Sequence, residues 1–212
     1  MTWTNNRHGL ANTTERLDRA MCNVAWRTLY PEATVKVLPR IYSNHSPLIV
    51  YTEGNLKLNT NGYSKGDPGQ AGYGGLLRNV TGTWLWGYYG KLGHYTNVEA
   101  ELWAIYKGLT ILFQKGTIDV EIETDATQVI KLTQDGPNHN SPYKAIIEDT
   151  KFLMKRRNCT LGHTLREGNK VANRLANIGV EQDNHVVILE DPLENVIAVV
   201  IDDMNGAHFE RD

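Results

Sequence analysis

Two carboxylates in this sequence have the setting in which acids do metal chemistry. Glu101 sits in TNVEAEL beside an apolar stripe at Val98, Leu102 and Ile105, and Asp125 closes the run DVEIETD. A carboxylate at a strand end next to one on an adjacent helix is how phosphoryl-transfer sites hold magnesium. That ion takes a few hard oxygens and completes its shell with water and substrate phosphate. On spacing alone the alternative is a pair of solvated acids, which strand ends commonly carry. Lys155, Arg156 and Arg157 form the other reactive cluster. They read either as phosphate contacts or as cations complementing a helix C-terminus. The glycine-rich stretch from Lys65 to Gly75 lacks GxxxxGK[ST] and no helix follows it, so it reads as a bulged turn between strands rather than a phosphate cradle.

The elements that must position these groups follow from periodicity. NLKLNTNG alternates, with Leu56, Leu58 and Thr60 on one face and Lys57, Asn59 and Asn61 on the other. YGGLLRN and TWLWGYYGKL continue as hairpin strands, and the alternation sets Trp84 and Trp86 on one face. Residues 97–115 change period: Val98, Leu102, Ile105, Leu109 and Leu112 define an amphipathic helix that Gly116 caps. DVEIETD is again a strand, ATQVIKLTQ a short helix and SPYKAIIEDTKFLMKRR a longer one. CTLGHTL is a strand, and GNKVANRLANIG a helix ended by Gly179. The order βββαβααβα predicts an α/β domain with a mixed sheet.

Composition narrows the class. The 212 residues are 41% hydrophobic and 22% charged, enough for a core without disulfides or structural metal. A net charge of −2 excludes a histone-like coat, though not a local basic groove. Cys22 and Cys159 form no CxxC, which excludes a cysteine zinc site and fits a reducing compartment. No apolar run reaches the length of a membrane span, and MTWTNNRHGL lacks a signal-peptide core, so an intracellular place, nuclear or cytoplasmic, is expected; a monomer is expected as well.

Four ordered strings, KLNTNGYSKGDPGQAGYGGLLRN, TNVEAELWAIYKGL, VEIETDATQVI and GHTLREGNKVANRLANIG, resemble the RNase H domains of plant LINE-type retroelements. The resemblance covers residues 55–181. It implies a five-stranded mixed sheet, three antiparallel strands followed by parallel ones, flanked by helices. It also implies an endoribonuclease acting on RNA–DNA hybrids with two Mg ions held by four carboxylates. Carried over position by position, the helical Glu falls on Glu101 and the second Asp on Asp125. The first Asp, in a Thr-Asp-Gly string, falls on Asn61. The last, in Asn-x-x-Ala-Asp-x-Leu-Ala, falls on Asn173, and the auxiliary loop histidine on His163. Two acids have thus become amides, leaving Glu101 and Asp125 as the metal ligands.

Each missing charge is expected to cost several kcal/mol of metal or transition-state binding, where about 1.4 kcal/mol is tenfold in rate. Among Asp67, Glu99, Glu121 and Glu123, Glu99 lies about 200° around the helix from Glu101. Only Glu123, on Asp125's face, stands as a substitute ligand. An impaired hybrid ribonuclease is therefore expected, with a non-catalytic nucleic-acid-binding module or a retroelement relic as alternatives.

Residues 1–50 resemble the C-terminal end of the endonuclease/exonuclease/phosphatase family of the same elements, through Glu15–Arg19 and Ser43–Pro47. Asp18 and His45 match that pattern, while its metal-binding Asp is Asn44. The segment is too short to hold such an active site and is expected to be poorly packed or extended. In the tail, 182–212, Pro192, Leu193, Val196, Val199 and Val200 predict one short amphipathic helix.

Overall fold

A computed structural model describes residues 56–79, 82–136 and 141–206, with side chains to residue 203, and the backbone of four short strands before them. The chain divides into two units, Met1–Gly54 and Asn55–Asp212. In the first, β1 (Thr2–Thr4) pairs antiparallel with β2 (Thr14–Arg16), and β3 (Thr34–Val37) with β4 (Leu48–Tyr51). Asp18, Asn44 and His45, and the expectation of loose packing there, lie outside the described residues.

The second unit is built on β5 (Leu56–Gly66), β6 (Gly69–Arg78), β7 (Trp84–Tyr95), β8 (Val120–Thr124), β9 (Thr160–His163) and β10 (Val187–Leu189). They form one sheet in the order β10-β7-β6-β5-β8-β9. The β5–β6–β7 meander is antiparallel, while β8 runs parallel to β5 and β9 parallel to β8. This is the mixed sheet that the sequence predicts, with one strand more. The outer edge of β7 carries backbone groups in need of partners, and the tail segment Val187–Leu189 satisfies them antiparallel.

Helices cover both faces. On one, α1 (Asn97–Lys115), α2 (Thr127–Asp135) and α3 (Lys144–Arg157) enclose a core around Leu58, Leu102, Ile105, Leu109, Ile122 and Ile147. On the other, α4 (Lys170–Glu181) and α5 (Glu194–Gly206) bury Leu76, Val171, Leu175, Val196 and Val200. The strand β5 is therefore covered on both sides, and Asn59 and Asn61 are buried like Leu58 beside them.

Helix boundaries have local causes. Thr96 accepts from the Glu99 amide while Glu99 accepts from the Thr96 backbone N–H, a capping box that starts α1. Gly116, in the left-handed region at φ 76°, ends it. Gly179, by contrast, does not end α4, which continues to Glu181. It is buried, and a Cβ there would stand 2.6 Å from the Gly90 carbonyl oxygen, so the residue serves close packing against the sheet rather than termination. The shared face expected for Trp84 and Trp86 is also absent. The β6–β7 register slips between Leu77 and Arg78, pairing Leu77 with Trp86 but Arg78 with Trp84. That bulge sends Trp86 into the α1 core and Trp84 to the α4 side, where its indole N–H donates to the Glu190 carbonyl.

Candidate active site and nucleic-acid interface

The C-terminal end of β8, the middle of β5 and the first turns of α1 and α4 converge on one patch. α1 crosses β5 at Gly62, where a Cβ would lie 2.1 Å from the Ala100 carbonyl carbon and the Glu101 nitrogen. Only hydrogen fits there, and that approach sets Glu101 beside the strand. Thr124 Oγ1, which accepts from the Ala126 N–H, donates to Glu101 Oε2 at 3.4 Å. Burial pushes the Glu101 carboxyl up to about 8. The Gly62 amide and the Thr124 hydroxyl oppose that rise, and the negative charge of Asp125 adds to it.

Asp125 is oriented by Asn169, the leading Asn of the Asn-x-x-Ala-Asp-x-Leu-Ala pattern, which is not among the candidate site residues. Asn169 is buried, and its Nδ2 donates to Asp125 Oδ1 and to the Thr60 carbonyl, both at 3.0 Å. Its Oδ1 accepts from Asn59 Nδ2 at 3.5 Å. The one signal for it in the sequence is that this asparagine opens the NKVANRLA string. His163 ends β9 opposite Thr124 in the parallel register and is exposed, so it stands at the same sheet end as Asp125.

The two amides are partly engaged in hydrogen bonds of their own. Asn61 is buried, and its Nδ2 donates to the Gly62 carbonyl at 2.9 Å, leaving one neutral ligating atom, Oδ1. Asn173 accepts from Asn177 Nδ2 at 2.7 Å on its side-chain oxygen, and its backbone carbonyl accepts from the same group at 2.8 Å.

The candidate substitute acids are all engaged. Glu123 is gripped by Lys57 and by Arg78 at 3.4 Å, and it accepts from Asn59 at 3.0 Å. It is thus the anion of a buried ion-pair network and not a spare metal ligand. Lys57 also reaches Glu121 at 3.5 Å, Asp67 accepts from the Asn97 N–H, and Glu99 belongs to the capping box. Among the described residues no group of three or more His, Cys, Asp or Glu is disposed to hold a metal ion. Chemically, Glu101, Asp125 and the Asn61 oxygen suit one divalent ion. Two anionic groups do not match the four positive charges of a pair.

The basic run 155–157 is not brought to this patch. Arg157 donates to the Phe113 carbonyl at 2.6 Å and lies 4.2 Å over the Phe113 ring, tying the end of α3 to the end of α1. Along α1, Phe113 stands about 18 Å of helix rise from Glu101. Arg156 rests over the Phe152 ring at 5.4 Å.

The sequence pattern of the reverse transcriptase-like family matches residues 59–179. The chain is 35% identical over 125 residues to an Arabidopsis thaliana protein that carries the name of ribonuclease H. That match covers 58% of this chain, and the chain spans about a fifth of the length of that relative, 20%. Among solved structures, RNase H1 of the archaeon Halobacterium salinarum NRC-1 is similar with a TM-score of 0.56 and 25% identity, over 60% of this chain and 98% of that one. LC11-RNase H1 in complex with RNA/DNA hybrid gives a TM-score of 0.55 and 25% identity, over 60% and 97%.

Proposed function

The chain belongs to the reverse transcriptase-like family, and on that premise we propose that its RNase H-type domain holds RNA–DNA hybrids while cleaving them poorly or not at all. The likeness to an RNase H1 solved with a hybrid supports the substrate class. The observation that carries the impairment is the state of the two amides. Asn61 keeps a neutral oxygen where the family pattern has an acid, and the Asn173 side-chain oxygen is taken by Asn177.

Glu101 and Asp125 would hold a divalent ion, which when bound supplies an activated water and charge stabilisation at the leaving oxygen. Asn169 would keep Asp125 aimed, and His163 would handle protons at the exposed edge. With Glu101 drawn to a high pKa by burial, the site presents less than two full negative charges at neutral pH before an ion arrives. A divalent ion held by Glu101 would therefore compete with that proton. The Glu15–Arg19 and Ser43–Pro47 strings are what support a retroelement endonuclease origin for residues 1–50.

A hybrid-cleavage assay in Mg²⁺ and in Mn²⁺ tests the reading. The wild-type chain should bind the hybrid and cleave it at least about a hundredfold more slowly than the Asn61→Asp/Asn173→Asp double variant, as the absence of two ligand charges requires. Cleavage by the wild type at the variant's rate at ordinary Mg²⁺ concentration would overturn it.

A further inference from the structure

The 3₁₀ turn Arg166–Asn169, whose last residue holds Asp125, and α4 form one wall of a cleft of about 580 Å³. Arg166, Lys170 and Arg174 line it at intervals of four residues, together with Asn173 and Asn177, and Val199 of α5 contributes the facing apolar surface. All three cations are exposed and none forms a salt bridge or hydrogen bond with another described residue, although the positive charge of Lys170 also acts on Asp203. Such pairing is common in the rest of the unit: Lys57, Lys65, Arg78, Lys91 and Lys115 each meet a carboxylate. Glu167 is the only acid lining the cleft among the described residues.

Asn173 completes the pattern. Its Oδ1 accepts from Asn177, so its own Nδ2 hydrogens have no acceptor among the described residues, and the group lines the cleft. A carboxylate at that position would repel a phosphate, whereas an amide N–H donates to one. Side-chain amides regularly donate to nucleic-acid phosphate oxygens.

We propose that this cleft is a phosphate-backbone groove for the RNA–DNA hybrid, in which Asn173, at a family ligand position, acts as a phosphate donor beside Arg166, Lys170 and Arg174. The proposal rests on the hybrid-binding reading above. Lys170 and Arg174 are about 6 Å apart along the helix, close to two nucleotide steps of about 3.4 Å. On that axial spacing the cations can follow alternate phosphates of one strand. Their contribution is electrostatic and so depends on salt.

Affinity of the full chain for a labelled RNA–DNA hybrid, measured in EDTA from about 50 to about 200 mM salt, provides the test. Arg166→Ala/Lys170→Ala/Arg174→Ala should lower the slope of log affinity against log salt by about 2 to 3, near 0.9 for each phosphate that is no longer neutralised. It should weaken low-salt binding more than tenfold while the circular dichroism spectrum stays unchanged. Asn173→Asp should weaken metal-free binding severalfold. A folded triple variant with wild-type slope and affinity overturns the groove but leaves hybrid binding standing. A reduced slope in Lys155→Ala/Arg156→Ala instead moves the interface to the end of α3 and overturns it equally. A wild-type chain that binds no hybrid at low salt overturns the hybrid-binding reading itself, and the groove falls with it.

Discussion

Glu101 is the residue on which charge and stability meet most directly. Its folded-state pKa of about 8 lies above the ordinary 4.5, so between those values the folded chain holds a proton that the unfolded chain has released. The associated stability is fully present below about pH 4.5 and is lost as pH rises through about 8. Thermal midpoints of the wild type measured from pH 5 to 8 should therefore fall. Glu101→Gln, which cannot ionise, should flatten the profile and melt higher than wild type at pH 8. A variant with the wild-type slope would show that another group carries the effect. At this scale the sequence exposed the replaced acids, because Asn61 and Asn173 are plain departures inside short strings. It concealed what Asn169 holds and the fate of Glu123. Whether an amide bridges Asp125 and Thr60, or a carboxylate is claimed by Lys57 and Arg78, depends on chain segments up to 109 residues apart.

Elements show which signals survive folding. The 3.6-residue stripe of α1 was legible with both ends, since its capping box and left-handed Gly116 are local devices. The Trp84–Trp86 alternation failed because a bulge, set by pairing with β6, turns one residue out of step. Glycine is similarly ambiguous in one dimension. Gly62 and Gly74 look like strand weakeners, yet a Cβ at Gly74 would sit 2.5 Å from the Ala176 nitrogen of α4, and one at Gly62 would strike α1. Gly62→Ala should cost about 1–3 kcal/mol or more in urea denaturation, as overpacking does. It should also displace Glu101. Gly162→Ala is the matched comparison, since its Cβ would meet nothing closer than 3.7 Å. A change there should stay within about 0.5 kcal/mol. Equal losses at the two positions would remove the claim that α1 and β5 touch through Gly62.

Over the whole molecule, the tail belongs to the Asn55–Asp212 unit, with β10 on the sheet edge and α5 in the second core. Arg78 adds an ion pair to Asp203 at 2.6 Å. A fragment of residues 55–212 should unfold in one transition. A fragment ending at 181 should melt several degrees lower, because it uncovers Leu76, Val171 and Leu175 and frees the β7 edge. Equal midpoints for the two fragments would count against any role of the tail in the core. By itself the sequence determined the order and type of the elements up to residue 181 and the mixed sheet, carried by short-range periodicity and ordered strings, while the pairing of Glu101 with Asp125 stood only as what the resemblance implied. Only the tertiary structure decided the sixth strand, the double-sided burial of β5, the isolation of Arg157 and the row of cations along the α4 cleft. Those depend on which distant segments meet, and neither periodicity nor a local string encodes such a meeting.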